Sequence, residues 1–521
     1  MPRRILVLRF ACLVLAASVL PCAALAAGFE YGPQGVHAVG RGGAFVLGAD
    51  DPSAIWWNPS KVAFLRGTQL MINDNITRMK LDFDRDPAAK YQVDGKGNLT
   101  SRPELDSNGD PVVRESGRTS EQTHWFPLGA SLGLTSDFGL KDWGFGLGIC
   151  GPSAYGTVRY PDKAPLNKDD PTLASGTRYS VTDMNALLLM VSLAAAYKYK
   201  DYVGLGFALQ YVAVPYIKYS LDIISPGPAA KQNDPAYTLN DMRVEVDMSD
   251  WKKFSVLLGG WGRPLPFLEL GFSARIFPIP IRATGNLYIS GTENSLYPTK
   301  AELAARTPAE KPVKVPGSLS FTYPADVKVG ARYLHKQGDR EVFDIEADFV
   351  WEQWSAMDSF KMKFDVNEVE AYSTTLILNE INLPRNQKDT YSVRLGGTYN
   401  AIPDHLWARL GGWWESGSQP LAYTTVDLPS WDRFGIGLGL SGAYRGFELG
   451  ISYAHVFQMS RNVKSGKVYQ QILDFEGNVR NGYAVNEGKY TGSYDILSVG
   501  LTILWEELIY GKKPGARAAA N

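Results

Sequence analysis

The sequence is poor in the features that mark disulfide-rich and nucleic-acid-binding proteins. It has three cysteines in 521 residues, and Cys12 and Cys22 lie in the apolar N-terminal stretch, so that Cys150 is left alone. Small disulfide-stapled secreted domains are therefore excluded. Lys and Arg number 53 against 54 Asp and Glu, and no basic block occurs. This balance gives no support to nucleic-acid binding.

Long apolar runs are missing beyond the N-terminus. A helix that crosses a bilayer needs about 18 to 20 consecutive apolar residues. The longest apolar run, residues 186–197, includes Ser192 and is too short for such a helix. It is long enough to cross as a tilted strand.

Motifs for catalysis and for metal binding are also absent. The histidines lie far apart, and none is paired at metal-ligand spacing. Neither a Gly-x-Ser-x-Gly nucleophile elbow nor a P-loop occurs. We therefore predict no enzyme activity and no cofactor, and a barrel enzyme whose site is assembled from distant strands is kept as an alternative.

The N-terminus carries a secretory signal. Arg3, Arg4 and Arg9 accompany an apolar run that ends at the small-residue site Ala24-Leu25-Ala26, which predicts a signal peptide over residues 1–26. A lipoprotein signal ending at Cys22 is the alternative, but Pro21 is unsuited to such a site.

Apolar and polar residues alternate with a period of two along much of the chain. In residues 341–351, Phe343, Ile345 and Phe349 alternate with carboxylates, and the same period recurs in residues 391–396, 434–441 and 497–505. Such alternation predicts β-strands with one apolar face. A large soluble two-sheet protein would also alternate.

Two features favour a membrane barrel over a soluble sandwich. The segments are often ten residues or longer, and aromatic residues such as Trp351, Trp413 and Trp505 lie near their ends. Short turns such as residues 401–404 also alternate with long polar stretches, at 82–121, 222–250 and 291–316. Short periplasmic turns and long external loops are typical of outer-membrane barrels. Residues 298–306 are predicted as a short helix within a loop.

The region before the first strand, Gly28 to Gly67, has no alternation and reads as a plug of turns and short helices. It contains Gly40-Arg41-Gly42-Gly43-Ala44, Ala49-Asp50-Asp51 and Asn58-Pro59-Ser60. These segments, in this order, resemble the FadL/TodX family, whose Asn-Pro-Ala motif is matched here except at Ser60. Weaker resemblances follow in the right order at residues 354–361, 388–396, 428–434 and 452–455.

The resemblance implies an all-β membrane protein of a Gram-negative outer membrane. Its parts would be a hatch over residues 27–66, a fourteen-stranded barrel over 67–505 and a periplasmic tail over 506–521. The expected function is passive uptake of hydrophobic compounds, either long-chain fatty acids or hydrocarbons, and a general diffusion porin is the alternative. The expected partners are the ligand, outer-membrane lipid and lipopolysaccharide, and the barrel-assembly machinery, for a monomeric protein.

The resemblance also suggests site residues. Phe29 would occupy the ligand pocket, while Asn58, Pro59 and Ser60 would hold the hatch that gates it. Lys361 is a candidate for binding a carboxylate, or else a rim lysine that snorkels at the membrane interface. Pro215, where a basic residue is expected in fatty-acid transporters, favours neutral hydrocarbons.

A break in the third strand is the predicted exit for the ligand. The alternation of residues 143–149 stops at a segment rich in glycine and proline, and proline is expected in a barrel strand only at an edge, bulge or break. In the family a lateral gap lies here, although the segment could instead end the strand in an external loop. The predicted kink consists of Gly151, Pro152, Ser153, Ala154, Tyr155 and Gly156.

Overall fold

The computed structural model describes most of the predicted hatch and barrel. The described residues are 30, 32–89, 91–93, 99–114, 119–122, 126–127, 129–151, 157–160, 175–225, 240–292, 295, 298–299, 302–303, 313–338, 340–371, 374–473 and 476–511. The predicted signal peptide, Phe29 and residues 152–156 of the predicted kink lie outside them. So do residues 512–521 of the predicted tail.

The chain forms a closed antiparallel barrel of fourteen strands, which confirms the predicted fold. Six strands are broken into segments. In chain order the strands are β1 (Thr68–Arg85), β2 (Thr119–Gln122, Phe126–Pro127 and Ser131–Ser136), β3 (Trp143–Cys150 and Thr157–Arg159), β4 (Asp183–Tyr199), β5 (Val203–Ile224), β6 (Asp241–Leu265), β7 (Leu268–Arg275 and Ile279–Gly291), β8 (Val313–Tyr323 and Asp326–Gln337), β9 (Arg340–Glu352 and Ser359–Phe364), β10 (Ile381–Pro384 and Thr390–Ile402), β11 (Leu406–Glu415), β12 (Arg433–Tyr444), β13 (Phe447–Val463) and β14 (Gly488–Leu504).

The barrel closes where β1 pairs with β14. The register runs without a break from Gln69 opposite Leu504 to Arg85 opposite Gly488. Closure matters because a sheet with no free edge satisfies its backbone hydrogen bonds within itself, as the interior of a membrane requires.

The alternation places apolar side chains on the outside of the wall. Along β12, Phe434, Ile436 and Leu438 are exposed, whereas the residues between them are buried in the lumen. Exposed rings also crowd the ends of the strands at the short turns. These rings belong to Phe138, Trp143, Tyr199, Tyr202, Phe267, Tyr399, Tyr444, Phe447 and Trp505. We call this ring of side chains the periplasmic girdle, because short turns lie on the periplasmic side and aromatic residues favour the membrane interface.

The hatch fills the lumen with short helices. It contains the α-helices α1 (Val36–Gly40) and α2 (Ala54–Trp57) and a 3-10 helix, Pro59–Phe64. Further 3-10 helices are Trp354–Ala356 and Leu421–Tyr423, and α3 (Trp505–Tyr510) follows the last strand. No helix among the described residues has both the length and the apolar content to span a membrane.

The long loops carry four small strand pairs. They are Ala88–Ala89 with Val113–Arg114, Tyr91–Val93 with Leu99–Pro103, Glu368–Ala371 with Thr374–Ile377, and Tyr469–Leu473 with Val479–Ala484. Of the predicted loop helix 298–306, the structure describes residues 298–299 and 302–303. There Leu303 N donates to Thr299 O at 2.9 Å, a hydrogen bond between residues four apart, as in an α-helix.

Candidate transport site: the hatch and its two cavities

Carboxylates of β9 hold the hatch to the wall. The side chains that alternate with the exposed apolar residues of this strand point into the lumen, where Arg41 of the hatch meets them. Its guanidinium lies 2.7 Å from Asp344 Oδ1 and 2.7 Å from Glu346 Oε2, and all three side chains are buried. Such charge-assisted pairs are strong where water is excluded.

The same strand accepts hydrogen bonds from four backbone amides of the hatch. Phe45 and Val46 donate to Asp348 Oδ2 at 2.8 and 3.0 Å. Leu47 and Gly48 donate to Glu346 at 2.6 and 2.8 Å. A loop without regular structure would otherwise bury these N–H groups unpaired. The carboxylates of β9 therefore define the conformation of residues 44–48.

Asn58 joins two parts of the hatch to the wall. Its Nδ2 donates to Val46 O at 3.0 Å and to Gly260 O of β6 at 3.3 Å. Its Oδ1 accepts from Ser60 N at 3.2 Å and from Ser60 Oγ at 2.7 Å, so that it caps the 3-10 helix that Pro59 begins. Both ends of the amide are thus used in a fully buried position.

Glycines on the inner face of the strands let the hatch approach closely. A Cβ on Gly144 of β3 would lie 2.2 Å from Val62 O, and one on Gly437 of β12 would lie 2.0 Å from Val39 O. Any side chain at either position would collide with backbone. The strands in which glycine alternates with large apolar residues therefore face lipid on one side and the hatch on the other.

His37 of α1 lies in a buried cluster of charges. Its Nδ1 is 2.8 Å from Asp50 Oδ1 and 3.3 Å from Asp51 Oδ2, and its Nε2 is 3.0 Å from Glu448 Oε1 of β13. Burial and Arg409 lower the pKa of His37, but the three carboxylates outweigh them and raise it to about 10. The imidazolium therefore bridges the hatch and the wall at neutral pH.

A small inner cavity of about 100 Å³ lies between the hatch and the wall. Glu30, near the predicted mature N-terminus, lines it together with Trp56, Cys150 and Gly151. Its ionic groups neutralise each other, for example Arg275 Nη1 and Asp326 Oδ1 at 2.7 Å. Three residues that line this cavity carry a buried polar atom without a hydrogen-bond partner among the described residues: Trp56 Nε1, Gln210 Oε1 and Arg275 Nε.

Among the described residues, the pairing between β2 and β3 ends beside this cavity. β2 and β3 pair from Ser136 opposite Phe145 up to Leu132 opposite Ile149. Further toward the long loops, Thr119–Gln122 of β2 pairs with β1, and Thr157–Arg159 of β3 pairs with β4. These two described segments form no backbone pairing with each other. Gly151, where the pairing has ended, lies so close to β4 that a Cβ would be 2.5 Å from Leu188 O.

A larger outer cavity of about 460 Å³ lies among the long loops. Tyr179, Tyr219, Tyr423 and Tyr469 contribute to its lining. Arg385 also lines it, and this guanidinium is paired with Asp427 and accompanied by the hydroxyl of Tyr219 at 3.3 Å. The outer cavity is aromatic, and the charge of its buried arginine is already matched.

Lys361 lies apart from both cavities. It is exposed on the second segment of β9, whereas its neighbours Phe360 and Met362 are buried in the core. Because successive side chains of a strand point to opposite faces, the ammonium group faces outward from the barrel. Pro215 lies where the register between β5 and β6 shifts, which agrees with the lack of an N–H for the ladder.

Sequence reasoning missed the residues that anchor the hatch. The alternating carboxylates of β9 were visible as a pattern, and so were the glycines of β3 and β12. Their partners in the hatch lie about 300 positions away for β9, as the pair Phe45 and Asp348 illustrates with a separation of 303. The available signal was a combination of two features. One is the plug-like N-terminal segment, and the other is a strand with carboxylates on its inward face and apolar residues on its lipid-facing side.

A closed barrel with a lipid-facing exterior and a plugged lumen is the architecture of an outer-membrane transport protein. The model of the outer membrane protein transport protein family (OMPP1/FadL/TodX) matches residues 17–492. The chain therefore belongs to this family of outer-membrane transporters of hydrophobic compounds, as the sequence predicted.

Solved structures show the same fold at low sequence identity. A FadL homologue of Pseudomonas aeruginosa is 18% identical with a TM-score of 0.67, covering 92% of this chain and 99% of its own. The toluene transporter TbuX of Ralstonia pickettii is 14% identical with a TM-score of 0.55, covering 91% of this chain and 98% of its own. The toluene transporter TodX of Pseudomonas putida is 13% identical with a TM-score of 0.56, with the same coverages of 91% and 98%. No curated protein sequence gives a significant match.

Proposed function

We propose that this protein takes up hydrophobic compounds passively, that the hatch gates their passage, and that they leave sideways between β2 and β3. The observation that carries the proposal is the inner cavity, which lies beside the place where the pairing of these strands ends. An apolar solute gains little from a water-filled channel, so a route with apolar walls into the bilayer suits it.

The outer cavity would receive the ligand first. Its tyrosine rings offer apolar faces with polar edges, which suits a solute arriving from water. The hatch would then control access to the inner cavity, because Trp56 and Trp57 of α2 belong to its lining. Asn58, Pro59 and Ser60 would hold this helix in place, and Phe29 would lie near the ligand.

In contrast to Pro215, which favours neutral hydrocarbons, the three unpaired polar atoms of the residues lining the inner cavity favour a ligand with an oxygen-bearing head group. The indole N–H of Trp56 and Nε of Arg275 can donate, and Gln210 Oε1 can accept. A protonated carboxyl or a hydroxyl offers both an acceptor and a donor. Toluene, named for TodX and TbuX, offers neither and is the comparison compound.

A reversible cross-link tests the sideways exit. Continuing the register of Leu132 opposite Ile149 by one residue places Ser131 opposite Cys150, with both side chains buried in the lumen. Cross-strand Cβ atoms are about 4.5 to 5.5 Å apart, near disulfide range. We expect the disulfide in Ser131→Cys to fasten the lower edge of the gap and reduce uptake.

Uptake is measured in cells with matched surface expression, using a labelled long-chain carboxylate and labelled toluene. Oxidised Ser131→Cys should lose uptake and regain it after reduction, and Ser131→Cys with Cys150→Ser should respond to neither treatment. Equal uptake before and after reduction, with the disulfide demonstrated, would show that the ligand leaves elsewhere. Transport of toluene alone would contradict the proposed head group.

A further inference from the structure

The helix α3 leaves the last strand with an apolar face that no described residue covers. Trp505, Leu508 and Ile509 are 48%, 41% and 54% exposed. Positions three and four apart share one face of a helix, so these three side chains form a single stripe. Glu507 lies on the opposite side and is less exposed.

The helix is fastened to the rim of the barrel at two points. Glu506 accepts hydrogen bonds from Thr68 N at 2.9 and 2.7 Å, so its carboxylate caps the first residue of β1. Gly67 precedes this residue with a φ of +66°, and a Cβ there would lie 2.3 Å from Glu506 Oε2. On the other side, Leu504 N donates to Gly446 O at 2.7 Å. The direction of the apolar face is therefore fixed by the fold.

This face continues the periplasmic girdle. Phe447, which is opposite Ile503 in the register of β13 and β14, is exposed, and so is Tyr444 at the end of β12. A Cβ on Gly446, in the turn between them, would lie 2.7 Å from Leu508 N. The stripe on α3 is thus contiguous with a surface that already faces lipid.

We propose that α3 lies in the periplasmic leaflet interface and binds phospholipid through Trp505, Leu508 and Ile509. A tryptophan and two aliphatic side chains on one face suit the boundary between head groups and acyl chains. On the acidic side of the helix, Glu506 is used for the cap of β1. The occupant is lipid, because the stripe is contiguous with girdle residues that already face lipid.

Depth-dependent quenching tests the proposal in the full-length protein, independently of transport. In a Cys150→Ser background, Ile509→Cys and the opposite-face control Glu507→Cys are labelled with an environment-sensitive fluorophore. The proteins are reconstituted in phosphatidylethanolamine and phosphatidylglycerol vesicles, with or without acyl-chain bromination. We expect bromination to quench the label at 509 several-fold more than the label at 507, since an interfacial helix buries its apolar face by about 5 to 10 Å.

Equal quenching at the two positions, or none at 509, would overturn the proposal and leave a protein partner as the occupant. Leu508→Cys shares the apolar face and replaces Ile509→Cys if that variant does not assemble. In Glu506→Ala, the loss of the cap should reduce the difference in quenching between the labels at 509 and 507. If that variant keeps the full difference in quenching, the orienting role of Glu506 is refuted.

Discussion

At the scale of single residues, Asn58 has a role that similar amino acids at the same position cannot fill. Aspartate offers no donor to the carbonyls of Val46 and Gly260, while serine is too short to reach both sides of the hatch. Because the side chain is fully buried, each lost hydrogen bond leaves a backbone group without water as a substitute.

The substitution Asn58→Ala should loosen the hatch and spare the barrel. It removes the partners of Val46 O and Ser60 N, at a cost of about 1 to 3 kcal/mol for each buried group, and also the contact with Gly260 O. Hydrogen exchange should become faster at Ser60, and uptake of the labelled carboxylate should change. Asn462→Ala, at an exposed position of β13, is the matched control. Unchanged protection of Ser60 would contradict the anchoring role.

At the scale of elements, α1 and the wall are joined by charge. The pKa of His37 in the folded protein, about 10, exceeds the ordinary value of 6.5. A raised pKa means that the stabilisation is fully present below the unfolded value and is lost as pH rises through the folded value. The attachment of α1 should therefore weaken progressively between pH 6.5 and 10.

This pH dependence is measurable as hydrogen exchange of α1 across that range, after correction for the intrinsic rate. The protection factor of α1 should fall in the wild-type protein. His37→Gln keeps a polar side chain without the titration, and its protection should be lower at pH 6.5 and nearly flat above it. The same slope in both proteins would mean that another group titrates.

Sequence alternation predicted the strands well because lipid on one side and the lumen on the other impose a period of two on every strand. The bulge at Pro215 also follows from the residue itself, which lacks an N–H. The Asn58-Pro59-Ser60 motif could be located, but its contact with Gly260 lies about 200 positions away and is invisible in one sequence. For the same reason the outward direction of Lys361 became clear only with Phe360 and Met362 in the core.

At the scale of the whole molecule, the lumen is occupied rather than open. The hatch packs against glycines of β3 and β12 on separate arcs of the wall, and its amides are bonded to β9. A small cavity lies at the hatch and a larger one lies outside it. A general diffusion porin needs a continuous aqueous path, and the packing opposes one.

Planar bilayer recordings should show no large steady conductance for the wild-type protein. Glu346→Ala combined with Asp348→Ala removes the acceptors of four hatch amides, so it should produce frequent transient openings. Asp404→Ala, in an exposed periplasmic turn, is the control and should stay closed. Migration on unheated gels reports whether each barrel is folded. A large steady wild-type current would instead identify a porin.

The bonds between residues 44–48 and β9 also set an order of events in biogenesis. The acceptors follow their donors by about 300 residues, so the hatch cannot acquire its shape while only the N-terminal part of the chain is available. Such long-range contacts are made late, since the chain between them must be organised first. Phe45 and Leu47 leave the translocation machinery early, yet their amides find their acceptors only after nine strands are in place. The earliest exported segment is thus the one that most needs protection by a periplasmic chaperone.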